Sequence, residues 1–94
     1  MKSELVGAIL EAIENNISKD YDVVKDNRFD DVIIIYKIAI RCGHSSSFAI
    51  RIKLYDDSLI CSTTLASLSI DYNDLKINDI VNFVYKLDEF YELI

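Results

Sequence analysis

The chain has 94 residues and a formal net charge of −6 at pH 7, and 51% of its residues are hydrophobic. A chain of this length forms one domain with one core, so we expect residues 1–94 to fold as a single compact unit. Because so small a domain has much surface for its volume, the apolar excess predicts that a second copy or another protein covers part of that surface.

The expected location is the cytoplasm. Glutamates interrupt the apolar residues of the N-terminal stretch "MKSELVGAILEAIENN", which does not have the pattern of a secretory signal. No apolar run is long enough to cross a bilayer, and two cysteines are better explained as reduced thiols than as a disulfide framework. Isoleucine, aspartate, asparagine, lysine and tyrosine are common while proline and tryptophan are absent, which is typical of an AT-rich genome and suggests a virus or mobile element. The location would then be the host cytoplasm.

The first element along the chain is an amphipathic helix. Its apolar residues recur at steps of three and four, with glutamates on the opposite side, which predicts a helix that covers one side of a core. These apolar residues are Leu5, Val6, Ile9, Leu10, Ile13 and Ile17.

Two long β-prone segments follow the short β-prone run "YDVVKD". They are "VIIIYKIAIRC" and "SFAIRIKLY", and the stretch "RCGHSSSF" predicts a hairpin bend between them. Alternation along the strands places the even positions on the core. The predicted core positions are Ile34, Tyr36, Ile38, Ile40 and Cys42 on the first strand and Phe48, Ile50, Ile52 and Leu54 on the second.

The odd positions of the same strands predict a basic sheet face in an acidic protein. This face carries Lys37, Arg41, Arg51 and Lys53, with Tyr55 as a stacking group at its edge. Two hairpin registers satisfy this pattern, and Lys37 lies opposite Arg51 in one and opposite Lys53 in the other. Such a face favours an anionic partner, either an acidic protein surface or, weakly and with strong salt dependence, a nucleic acid. Basic side chains that bind no partner and only promote the solubility of an exposed sheet would give the same pattern.

A further strand is predicted in "DDSLICSTTL". If Asp56 and Asp57 form a two-residue loop, Leu54 lies opposite Leu59 and Ile52 lies opposite Cys61. The same register places Phe48 opposite Leu65. Because two aspartates without a glycine suit such a turn poorly, a four-residue loop of the same parity is the alternative. The segment "ASLSID" extends this strand or adds a short fourth one.

A second helix, with a wide apolar face, is predicted from Ile77 to the C-terminus. Most of this face is expected to pack on the sheet, but part of it is a candidate contact with the same helix of a second copy. The candidate residues are Phe83, Leu87, Phe90, Tyr91 and Ile94. The fold class is therefore α+β, a two-layer α-β-β-β-α arrangement in which a three-stranded, or four-stranded, antiparallel meander carries both helices on one face.

No catalytic residue, metal site or cofactor is predicted. Cys42 and His44 are the pair that could begin nucleophilic catalysis, but both belong to the hairpin bend and no third group is identified that would orient the imidazole. The acidic segment "DYDVVKDNRFDD" lacks the spacing and the glycine of an EF-hand loop. One histidine and two distant cysteines do not complete a zinc site.

The predicted function is that of a small, acidic, non-enzymatic accessory protein that is homodimeric and acts through protein–protein contacts. Inhibition of a host nucleic-acid-binding or defence protein is one form that this activity could take. The alternative is a weak nucleic-acid-binding protein that uses the basic sheet face. Membrane binding is not expected.

Overall fold

The computed structural model describes residues 2–41 and 44–92, which form two α-helices and five strands. Helix α1 spans Lys2–Asn16 and helix α2 spans Ile77–Glu92, and a 3₁₀ turn at Tyr72–Asp74 precedes α2. The strands are β1 (Asp22–Lys25), β2 (Val32–Arg41), β3 (His44–Leu54), β4 (Ser58–Ser62) and β5 (Ser67–Asp71). The α+β class is confirmed, but the sheet has five strands rather than three or four.

The sheet is an antiparallel meander in which the strands lie in chain order. The additional strands come from the two short runs, "YDVVKD" for β1 and "ASLSID" for β5. Val23 of β1 pairs with Ile35, and Ile70 of β5 pairs with Leu59. A run of four or five residues carries too little alternation to be decisive, and it becomes a strand here because a neighbouring strand supplies its hydrogen bonds and its packing.

The predicted turn between β3 and β4 is confirmed. Leu54 pairs with Leu59 and Ile52 pairs with Cys61. The amide of Tyr55 donates a hydrogen bond of 2.7 Å to the carbonyl oxygen of Ser58, which leaves a two-residue loop between them. The predicted pairing of Phe48 with Leu65 is wrong, because β4 ends at Ser62 and Leu65 is 56% exposed in the loop that follows.

The register of β2 against β3 differs from the predicted one. Ile33 pairs with Ile52 and Ile35 pairs with Ile50, so the odd positions of β2 face the core together with the even positions of β3. Ile33 and Ile35 are fully buried, whereas Ile34 is only half-buried on the opposite face. Since β2 is apolar on both faces, its alternation does not identify the inward one, and a shift of one residue reverses every side chain.

The hairpin itself is confirmed, with a shorter bend than the sequence suggests. Arg41 pairs with His44, and Ser45, Ser46 and Ser47 belong to β3 rather than to the bend. Cys42 and Gly43 lie outside the described residues, and the structure describes the backbone but not the side chains of residues 38–41 and 44–47. The predicted core positions Ile38 and Ile40 therefore stay untested.

The core lies between the two helices and one face of the sheet. Helix α1 packs on β1 and β2, and helix α2 packs on α1 and β3. One buried cluster joins both helices and all five strands: Val6, Ile9, Ile13, Ile17, Val23, Ile33, Ile35, Phe48, Ile50, Ile52, Leu54, Leu59, Cys61, Ile70, Ile80, Val81, Val84 and Leu87. The opposite face of the sheet carries neither helix.

Candidate protein-binding surface

The sheet face opposite the helices, called the outer face below, combines aliphatic and basic side chains. Cross-strand pairing places Val24, Ile34 and Arg51 on one row and Lys53 and Ile60 on the next. Side chains paired in this way lie about 5 Å apart on the same face of a sheet. These five residues therefore form one continuous surface across β1 to β4.

The loop between β1 and β2 adds an aromatic ring to this surface. Asp26, which is buried, accepts a hydrogen bond of 2.8 Å from the amide of Arg28 and so shapes the loop. The ring centroid of Phe29 lies 5.2 Å from Cζ of Arg51 and 5.6 Å from Cζ of Arg28. The ring is thus held between two guanidinium groups while 43% of the residue stays exposed.

A second cation–π contact lies at the end of β3. Nζ of Lys53 is 5.4 Å from the ring centroid of Tyr55, two residues further along the same strand face. Contacts of this kind hold a cation and a ring in a fixed relation at the surface. Val24 and Tyr55 are 40% and 41% exposed, values close to that of Phe29. The outer face therefore presents apolar groups to solvent beside cations that contact aromatic rings.

The structure brings together Arg51, Lys53 and Tyr55 of the predicted basic face but not Lys37. Lys37 pairs with Phe48, which is buried, so it lies on the helix side of the sheet. Its assignment to the basic face is therefore wrong, and the cause is the shifted register of β2. Arg41 pairs with His44 at the end of β2, and its side chain lies outside what the structure describes.

On the helix side, Lys37 enters a polar network with Asp88. Oδ2 of Asp88 accepts a hydrogen bond of 2.8 Å from Nζ of Lys37 and another from the hydroxyl of Tyr21. The Tyr21 ring lies 5.4 Å from Nζ of Lys37 and 5.8 Å from the ring of Tyr85. Burial, together with the bond to Asp88 and its negative charge, raises the pKa of Tyr21 above its ordinary value. The network joins β2 to α2 and stabilises a lysine that faces the core side.

The predicted partner face of α2 is largely occupied within the chain. Leu87 is buried in the core, and Phe83 and Tyr91 pack against it. The Tyr91 ring lies 5.3 Å from the ring of Phe48, and its hydroxyl lies 3.3 Å from Oγ1 of Thr64. Phe90 is 50% exposed, and Ile94 lies outside the described residues. Leu87 is 9% exposed and therefore offers little surface to a second copy, and the contact of α2 with a second copy stays a prediction.

Two observations on the described residues concern thiol chemistry and metal binding. Cys61 is fully buried, and burial raises the pKa of its thiol to about 12, which keeps it protonated and unreactive at neutral pH. Within residues 2–41 and 44–92, no group of three or more His, Cys, Asp and Glu side chains is arranged to hold a metal ion. Neither of the described helices has the length and apolar character needed to span a membrane.

No family model, curated protein or solved structure matches the chain. Any function must therefore be inferred from its own residues and their arrangement.

Sequence reasoning missed Phe29, Val24, Ile34 and Ile60 as members of the surface. Phe29 alone had a local signal, since it is an aromatic residue between charged ones in "DNRFDD" and a ring in such a loop is rarely part of a core. The aliphatic members carried none, because an isoleucine on a strand has the same pattern whether it faces the core or the outside.

Proposed function

We propose that this chain is a non-enzymatic binding protein that contacts another protein through its outer face. The observation that carries the proposal is the alternation of exposed apolar groups with cations that are held by aromatic rings. Protein interfaces are enriched in aromatic residues and arginine and depleted in lysine and glutamate at their centre. Phe29, in the loop between β1 and β2, and Arg51, on the central strand β3, form a pair of that kind.

The expected partner surface is apolar with acidic groups at its border. Val24, Ile34 and Ile60 would be covered on binding, and acidic groups would meet Arg51 and Lys53. The helix layer has the opposite sign, since Glu4, Glu11 and Glu14 are exposed on α1. An acidic partner would therefore be directed to the outer face rather than to the helices.

Nucleic-acid binding is the second candidate, and the structure supports it less. Lys37 lies on the other face, and Arg51 and Lys53, which are neighbours on β3, have the aliphatic residues Ile34 and Ile60 as cross-strand partners. Affinity for a phosphate backbone depends on the number of phosphates that cations neutralise. An apolar surface with few cations favours a protein partner.

A viral or mobile-element origin and an inhibitory action on a host nucleic-acid-binding or defence protein stay predictions. The first depends on amino-acid usage, and the second on size and acidity. Both are compatible with a protein whose activity is to cover the surface of another.

Affinity capture with matched surface variants tests the proposal. Tagged wild type, Phe29→Ser and Arg51→Glu would be compared with Leu65→Ser and Lys19→Glu, which change an exposed apolar residue and an exposed cation away from the outer face. Each capture would be made from cells of the native host with and without nuclease. We expect a nuclease-resistant protein partner that the two control variants retain and the two outer-face variants lose, with Kd raised at least about 30-fold for an interface hot spot.

Two results would overturn the proposal. Retention by all four variants would show that the outer face is not the contact surface. Capture that disappears after nuclease treatment would favour the nucleic-acid alternative instead.

A further inference from the structure

Strand β5 has an unpaired edge. It is the last strand of the sheet and pairs with β4 on one side only. The amide of Thr63 donates to the carbonyl of Ala66 at 2.8 Å, and the amide of Tyr72 donates to the carbonyl of Asp57 at 3.1 Å. Because such hydrogen-bonded pairs alternate along an antiparallel ladder, Leu68 and Ile70 direct their main-chain groups toward β4.

The main-chain N–H and C=O groups of Ser67, Ser69 and Asp71 consequently point away from the sheet. Within the described parts of the chain, no further strand lies beyond them to accept or donate hydrogen bonds. These groups form a row of donors and acceptors along the edge, contributed by every second residue of β5. An extended peptide could pair with this row along the full length of β5.

This edge lacks the usual protection against pairing. Natural proteins protect edge strands with lysine, proline, bulges or a very short strand. The opposite edge strand, β1, is only four residues long and carries Asp22 and Lys25 at its ends. Strand β5 has five residues and one charged side chain, Asp71, at its end, and Ser67 and Ser69 are exposed and uncharged. Pairing at β5 therefore meets no lysine or proline, and the single charge on the strand favours a basic segment.

A groove accompanies the open edge on the helix side. It has a volume of about 500 Å³ between β5 and α2, and Leu68, Ile70 and Phe83 provide its apolar lining. It exists because α2 packs on α1 and β3 and leaves β5 partly uncovered, so that Leu68 is only half-buried. Alternate side chains of an added strand would enter this groove.

The charge around the groove determines which segment fits. Asp71, Asp74 and Asp79 line it together with one lysine, Lys86. A second copy would bring the same acidic excess against it, which is unfavourable. A segment that carries lysine or arginine would meet complementary charge.

We propose that β5 accepts an extended, basic segment of another protein as a sixth strand of the sheet. Main-chain hydrogen bonds to Ser67, Ser69 and Asp71 hold the segment, its apolar side chains pack on Leu68 and Phe83, and its cations face the aspartates. This surface is separate from the outer face. Binding at one of the two surfaces does not require binding at the other.

The test uses a short peptide of alternating lysine and valine with blocked ends, and the same peptide with glutamate in place of lysine. The variants are Ser69→Pro and Ser69→Ala. Proline removes the outward N–H of residue 69 and leaves the β4–β5 hydrogen bonds intact, since an edge strand tolerates proline at such a position. Alanine removes the hydroxyl but keeps the N–H, so it is the matched control.

We expect the basic peptide to slow hydrogen exchange of the amides of Ser67, Ser69 and Asp71, measured by NMR on the wild type. In a fluorescence anisotropy titration, Ser69→Pro should weaken binding at least about tenfold, through the lost hydrogen bond and its unmatched partner, and Ser69→Ala should leave it nearly unchanged. The acidic peptide should not bind.

Three results would overturn the proposal: no exchange protection on β5, equal binding by the acidic peptide, or equal binding by both variants. Sedimentation that shows a wild-type dimer and a monomeric Ser69→Pro variant would instead assign the edge to a second copy. Since the exchange measurement uses the wild type, the proposal stays testable if the proline variant does not fold.

Discussion

Nζ of Lys37 lies 2.8 Å from Oδ2 of Asp88, and this ion pair joins the central hairpin to helix α2 on the side of the sheet where the core lies. The Lys37 side chain is 25% exposed and that of Asp88 is 12% exposed. A lysine on the inner face of a sheet is costly unless a charge of opposite sign neutralises it. The register of β2 places Lys37 on the inner face, and the ion pair with Asp88 offsets the cost of that position.

Asp88→Ala is expected to lower the free energy of unfolding by about 2 to 4 kcal/mol, because it leaves the ammonium of Lys37 and the hydroxyl of Tyr21 in a largely buried site. Lys37→Met keeps the aliphatic stem but removes the cation beside the more deeply buried carboxylate, so it should cost a similar amount, about 2 to 3 kcal/mol. Urea denaturation monitored by circular dichroism measures both. A loss below about 0.5 kcal/mol for Asp88→Ala would contradict this expectation, because it would mean that the pair contributes no more than an exposed, solvent-screened ion pair.

The register of β2 predicts a difference between two adjacent isoleucines. Ile35 is fully buried and Ile34 is half-buried on the outer face. Ile35→Ala should therefore cost about 2 to 4 kcal/mol, and Ile34→Ala less than about 1.5 kcal/mol. Chemical denaturation of the two variants gives the comparison, in which each serves as the control for the other. The reverse order would mean that the even positions face the core after all.

The thiol of Cys61 should resist alkylation in the folded protein. With its pKa raised to about 12 and no exposed surface, it has little thiolate and no access to reagent. In a Cys42→Ser background, iodoacetamide at pH 8 should label Cys61 only at the rate of unfolding. Labelling that is as fast as that of a free thiol would contradict the burial. The converse variant, Cys61→Ala, reports whether Cys42 is reactive.

Stability should fall at alkaline pH. Burial raises the pKa of Cys61 from 9.0 to about 12, and the pKa of Tyr21 is also raised in the folded state. A raised folded pKa stabilises fully below the unfolded pKa, and the contribution is lost as pH rises, since only the unfolded chain then releases the proton. Cys61 should give a slope of at most about 1.4 kcal/mol per pH unit above its unfolded pKa.

Denaturation between pH 7 and 11 tests this dependence. Cys61→Ala should flatten the curve just above pH 9, and Tyr21→Phe should flatten its upper part. A free energy of unfolding that stays constant across this range in the wild type would contradict both pKa directions.

Among the residues of α2 predicted to contact a second copy, Phe90 offers the clearest test of the homodimer, because it is 50% exposed. Analytical ultracentrifugation at micromolar concentration should show a species of twice 10.8 kDa that Phe90→Ser converts to one of 10.8 kDa. Leu65→Ser, at another exposed apolar residue, is the control. A single species of 10.8 kDa in the wild type would remove the dimer hypothesis.

Local pattern was sufficient for several elements. The spacing of Val6, Ile9 and Ile13 predicts the buried side of α1, because helical periodicity is read over many residues. The alternation of Ile50, Ile52 and Leu54 predicts the inner face of β3, where charged residues occupy the positions between them. The Asp56–Asp57 loop then follows from matching that face to Leu59 and Cys61.

The candidate surface could be predicted only in part, because only one of its strands alternates clearly. Arg51, Lys53 and Tyr55 belong to a clearly alternating strand, and their shared face was readable. Lys37 and Ile34 belong to β2, where isoleucines occupy both faces and hydrophobicity does not distinguish them. Phe29 joins the surface only because its loop places it beside Arg51.

Tertiary structure therefore decided which face of β2 is inward, and with it the composition of the outer face. The decision depends on partners distant in sequence: the inner isoleucines pack with β3 and the helices, and Asp88, 51 positions away, compensates the charge of Lys37. Such long-range contacts are not reflected in the hydrophobic pattern of β2 itself. The outer face, the open edge of β5 and the groove beside it are consequences of how the layers meet, and a one-dimensional pattern does not encode them.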